Sequence, residues 1–83
     1  MAIPKWFLRN VLVASGNSGD RKLLPLVKAH LFDDYSLVRG MAVWALGQLS
    51  ETEEFKFMKG KYSSKENDEE VLLEWETAPS KIE

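Results

Sequence analysis

Anion recognition is the chemistry this chain has most to offer. Arg9, Asn10, Arg21, Lys22 and Arg39 supply donors, and a guanidinium presents a planar fork that suits a phosphate or a carboxylate. Nothing around them turns recognition into catalysis. The 83 residues contain no Cys and one His, His30, which leaves no thiolate metal site, no iron–sulfur ligands, no cysteine nucleophile and no histidine cluster. Since no nucleophile–base pair or ligand set can be assembled, the chain by itself is expected to be no enzyme and to hold no cofactor or metal. Eleven basic against thirteen acidic residues give a formal net charge of −2. A polyanion would therefore have to be met by a local basic face.

The five candidates differ in their surroundings. Arg39 follows Asp33-Asp34 closely, so an ion pair stitching neighbouring helices competes with a phosphate contact. Arg9 and Asn10 have no acidic loop upstream and are free to meet a phosphate or an upstream domain. Arg21, Lys22 and Lys28 extend the same basic edge, or simply keep an outer helix wet. The turn Gly16-Asn17-Ser18-Gly19-Asp20 offers amides that could cradle an anion or merely end a helix.

Helices must position these residues. Pro4 suits a first turn, and Phe7, Leu8, Val11, Leu12 and Ser15 recur at three- and four-residue spacing, predicting a helix from about Pro4 to Ser15. Asp20 is expected to cap a second helix striped by Leu23, Leu24, Val27 and Leu31, its first turn made irregular by Pro25. Ser36 is the expected N-cap of a third helix, apolar on nearly every side through Val38, Met41, Ala42, Val43, Trp44, Ala45, Leu46 and Leu49, which therefore needs cover on more than one side. Ser50-Glu51-Thr52-Glu53 carries a capping-box pattern ahead of Phe55, Met58 and Tyr62. After a solvated "YSSKEN" loop, Asn67 with Glu70 predicts the cap of a fifth helix, carrying Val71, Leu72 and Trp75 and ended by Pro79. No strand is expected.

"ASGNSG" at 14–19 aligns with "ALGQLS" at 45–50, an offset of 31 residues that also sets Gly16 on Gly47, Leu24 on Phe55, Val27 on Met58 and Trp44 on Trp75. Two helices per period of this length predict an all-α, HEAT-like α-solenoid of about two and a half helix pairs, one domain over 1–78 with a disordered tail at 79–83. Trp44 and Trp75 are expected in the core, His30 half-buried, and the acidic run from Glu66 to Glu70 in a solvated loop and helix start, while Trp6 beside Phe7 stays ambiguous between packing and the exposed stump of an interdomain contact.

An aspartate ahead of a helix that starts with Val-Arg resembles HEAT repeats. More narrowly, "FLRNVLVASGNSGD" followed by "LVRGMAVWALGQL", with a weaker continuation in "EEVLLEWETA", resembles the C-terminal HEAT-like domain of epoxyqueuosine reductases, enzymes of tRNA queuosine biosynthesis. That resemblance implies cobalamin and two [4Fe-4S] clusters on catalytic domains this chain lacks. It also implies a tail that helps to hold tRNA, here through Arg9, Asn10, Arg21, Lys22 and Arg39. The alternative is a generic HEAT-repeat module for protein–protein interaction, whose partner would be the missing catalytic domain, another protein, or a further copy joined through exposed repeat ends. No apolar run is long enough to span a membrane, and the cytoplasm is the expected location.

Overall fold

The computed structural model describes residues 3–78. Five α-helices follow in order: α1 (Lys5–Ser18), α2 (Leu24–Ala29), α3 (Ser36–Leu49), α4 (Thr52–Tyr62) and α5 (Glu69–Thr77), with single 3₁₀ turns at Arg21–Leu23, His30–Phe32 and Ser63–Lys65. Among the described residues there is no strand. Helix α3 lies between α1 and α5 and also meets α2 and α4. The molecule measures 39 × 28 × 18 Å, and its thinnest dimension is that of two helix layers.

The central position of α3 explains its composition. Val38, Ala42, Val43, Ala45 and Leu46 are all fully buried, and a helix covered from several sides cannot keep a polar stripe there. Around it close Leu12, Leu24, Val27 and Leu31 from one side and Phe55, Met58, Val71, Trp75 and Ala78 from the other. Helices α1 and α3 each have 14 residues and begin 31 positions apart, as the internal alignment requires.

The ends of the helices depart from the expectations in instructive ways. Helix α1 does not stop at Ser15 but runs through Gly16 and Asn17, and only Gly19, at φ 72°, takes the left-handed cap. Gly16 stays helical because its bare Cα is what lets the Trp44 indole lie against it: a Cβ there would meet the ring. Asp20 caps as expected, accepting from the Lys22 amide, but the helix behind it is broken into a 3₁₀ turn and the short α2, with Pro25 in the first turn. Helix α3 begins at Ser36 instead of being capped by it. Its N-cap is Tyr35, whose amide donates to the Asp33 carboxylate at 2.9 Å.

The capping box of α4 is formed by Glu51 and Glu54, one position along from the Ser50–Glu53 pair; Ser50 is buried, and its hydroxyl has no hydrogen-bond partner among the described residues. Asp68, not Asn67, caps α5 through the amides of Glu70 and Val71. Helix α5 begins 33 positions after α3, so the offset of 31 does not continue into it. Trp44 and Trp75 are consequently not equivalent: the first is half-buried over Gly16, whereas the second is 2% exposed and packs its ring 5.3 Å from that of Phe55. The stop at Pro79 and the tail at 79–83 lie outside the described residues.

Candidate interaction site

Four ion pairs join early parts of the chain to later ones. Lys5 at the start of α1 reaches Asp33 at 3.0 Å; Arg21 reaches Glu54 at 3.0 Å; Arg39 reaches Glu66 at 2.9 Å; Lys59 in α4 reaches Glu76 in α5 at 3.1 Å. In every one the base comes from the earlier segment and the acid from the later one. The arrangement follows from an uneven charge distribution: residues 3–32 hold five basic side chains against one acidic, residues 63–78 one basic against six acidic.

Arg39 is the most committed of these cations. Its Nε and Nη2 donate to the two Glu66 oxygens, each at 2.9 Å, while Nη1 donates to the backbone carbonyls of Asp33 at 2.8 Å and Asp34 at 3.2 Å. The side chains of Arg39 and Glu66 are only 18% and 8% exposed, and such a forked geometry is the strong form of a charge-assisted hydrogen bond. Those bonds to Glu66 hold the guanidinium pKa above its ordinary value against the opposing effect of burial. The stitching role expected for Arg39 is thus filled by an unexpected partner: Asp33 and Asp34 contribute their carbonyls, and the carboxylate comes from Glu66, a member of the acidic run expected to be solvated. A signal for it exists. Glu66 stands two residues before the N-cap of α5 and accepts that residue's amide, just as Asp33 does before α3.

Arg21 is spent in a similar way. It donates to the Leu49 carbonyl at 2.9 Å, satisfying one of the open acceptors at the end of α3, and its hydrogen bond with Glu54 raises its pKa. The same bond, with the Glu51 amide, pulls the Glu54 carboxyl below the usual carboxylate range. Burial pushes the Asp33 carboxyl up, but the Tyr35 amide and the Lys5 ammonium outweigh it and leave the pKa lowered. Glu74 is raised by burial alone.

Arg9, Asn10 and Lys22 are exposed, and among the described residues they make no ion pair. The glycine-rich turn offers little to an anion, since Ser18 donates to the Ser15 carbonyl and accepts from the Asp20 amide, and Asp20 puts a carboxylate beside it. His30 is half-buried, and the described residues contain no group of three His, Asp or Glu able to hold a metal ion. None of the described helices is long and apolar enough to cross a membrane.

Large apolar side chains make up the other feature of the surface. Trp6 is 65% exposed and meets Phe7 edge to face with ring centroids 6.0 Å apart; Phe57, Phe32, Leu37 and Leu73 are likewise more than half exposed. The carriers of chemistry that sequence reasoning missed are therefore Glu66, Glu54 and this set of exposed apolar residues. No family model, no curated protein and no solved structure matches the chain.

Proposed function

We propose that the chain is a HEAT-like α-solenoid of about two and a half helix pairs that acts as a non-catalytic protein-interaction module. Support for the solenoid comes from the equal lengths and 31-residue offset of α1 and α3, the placement of α3 between α1 and α5, and ion pairs of one polarity from segment to segment. The observation that carries the interaction role is the fate of the cations. Two of the three arginines, Arg21 and Arg39, are consumed by internal acids, while Trp6, Phe7, Leu37, Phe57 and Leu73 are exposed, Trp6 and Phe7 side by side. Exposed apolar side chains favour a protein partner, whereas a phosphate backbone needs unspent positive charge.

A second reading, the tRNA-holding tail of an epoxyqueuosine reductase-like enzyme, is favoured by the exposed Arg9, Asn10 and Lys22, of which Arg9 and Lys22 make no ion pair among the described residues. Titration of the full chain with queuosine-type tRNAs at low and high salt separates the two. The protein-interaction reading expects no salt-sensitive complex. Binding that weakens steeply with salt and is lost in Arg9→Ala/Lys22→Ala would establish the tRNA reading in its place.

A further inference from the structure

The groove between the first half of α3 and α5 is shaped for a cation that the chain does not supply, and we propose that it takes an arginine side chain presented by a partner protein. The proposal rests on the protein-interaction reading and gives the chemistry of one contact.

The groove has a volume of about 130 Å³. Leu37 and Met41 on α3 and Val71 on α5 form its apolar wall, and Glu70 and Glu74 line its α5 side. Gly40 lies on the same stretch of α3, and a Cβ there would meet nothing within 4 Å. The space beside α3 is therefore open to a side chain that α3 itself does not provide. Glu70 and Glu74 stand one helical turn apart on one flank of α5, where two like charges repel unless a cation lies between them. Among the described residues neither forms an ion pair.

Other carboxylates between segments are matched. Asp33, Glu54, Glu66 and Glu76 each meet a base from an earlier segment, but no base lines this groove. Glu74 shows the consequence: it is partly buried, and burial alone acts on its carboxyl and pushes the pKa up, with no cation to pull it back.

Arginine fits these features together. Its aliphatic stem can lie along Leu37 and Met41 while the head stays at the wet rim, and its planar fork can donate to two carboxylates at once. Leu37, 58% exposed, extends the apolar contact to whatever flanks the arginine in the partner. The same carboxylates repel a phosphate, which sets this groove apart from the exposed bases Arg9 and Lys22.

NMR titration of the full, isotope-labelled chain with the blocked peptide acetyl-Ala-Arg-Ala-amide tests this, beside the same peptide carrying citrulline, which keeps the shape and loses the charge. The arginine peptide is expected to bind with a Kd on the order of millimolar and to shift the amides of residues 36–41 and 70–74. The citrulline peptide should bind about tenfold more weakly, as should the arginine peptide to Glu70→Gln/Glu74→Gln. Circular dichroism checks that this variant keeps its helices. A second variant fills the groove from within: Gly40→Lys sets an ammonium opposite the two carboxylates and should abolish the shifts, whereas Gly40→Ala, which only raises helix propensity, should keep them. A spectrum that the arginine peptide leaves unchanged, shifts spread over all the acidic residues, or equal binding of the citrulline peptide would each overturn the proposal. So would undiminished binding to Glu70→Gln/Glu74→Gln or to Gly40→Lys. The protein-interaction reading would survive any of these results, since it falls only to salt-sensitive tRNA binding.

Discussion

The seam between α1 and α3 and the seam between α3 and α5 join helices in the same order but by different means. At the first, a partly buried indole lies over Gly16, and the ion pair is a single ammonium, Lys5, whose side chain is 37% exposed. At the second, Gly47 brings α3 close to the Ala78 backbone, Trp75 is sealed against Phe55, and Arg39 grips Glu66 with both arms of a buried fork. The first is wet and adjustable, the second dry and geometrically demanding. Dry packing leaves a substitution no room to relax, and charges out of water lose more when they lose a partner. The second seam should therefore carry most of the stability.

The sharpest challenge to that ranking is a pair of tryptophan truncations. Trp75→Ala should cost about 3–5 kcal/mol, enough to unfold a domain this small, while Trp44→Ala should cost about 1–2 kcal/mol because its ring is only partly buried. Denaturant midpoints read both, and equal losses would refute the comparison. Next come the cations. Arg39→Ala strands the Glu66 carboxylate in a largely buried site and should cost about 2–3 kcal/mol, against less than about 1 kcal/mol for Lys5→Ala. The Lys5 effect should also shrink in high salt more than the Arg39 effect.

Smaller differences should follow from the glycines. A Cβ on Gly47 would sit 2.8 Å from the Ala78 carbonyl oxygen, which is backbone, so Gly47→Ala should cost about 1–2 kcal/mol even after the gain in helix propensity. On Gly16 the obstacle is the edge of the partly buried Trp44 ring, a side chain and not backbone, and Gly16→Ala should change the melting temperature less.

The smallest effect is acid titration. Asp33 and Glu54 have lowered carboxyl pKa values in the folded chain, so the stability they contribute is present above the ordinary carboxylate range, near pH 4, and is lost as pH falls through their folded values. Glu74, raised by burial, has the opposite sign: it weakens the fold as pH rises from the ordinary carboxylate range through its raised value. Acid melting curves should therefore lose part of their slope below pH 4 in Lys5→Met, and Glu74→Gln should flatten the component above it.

Much of this was legible in the residues. Apolar spacing placed all five helices, because burial of one face is a local periodic requirement, and the breadth of the stripe on α3 foretold that it would be covered from several sides. The offset of 31 matched the starts of α1 and α3, but with helix 1 expected to stop at Ser15 their equal lengths were not foreseen. The ends of helices were less legible. Gly16 and Asn17 look like a stop, yet the helix continues through them because the indole that arrives from α3 needs a residue without a side chain. Ser36, Ser50 and Asn67 are all good caps by type, but neighbours one position away were better placed by the incoming chain.

The candidate site divides along the same line. From residue types alone, the chain is all-helical, without cysteine chemistry, with a basic beginning and an acidic end, and with arginines capable of holding anions. Only the tertiary structure decided which anions those are. Arg39 finds Glu66 across 27 residues and Arg21 finds Glu54 across 33; the place of Glu66 two residues before the α5 N-cap is the one local hint of the first, and no local pattern announces the second. The physical reason is one of range: helix periodicity and charge content are set within a few neighbouring residues, whereas the partner of a charge, and whether water reaches it, depends on how two distant helices come to lie side by side.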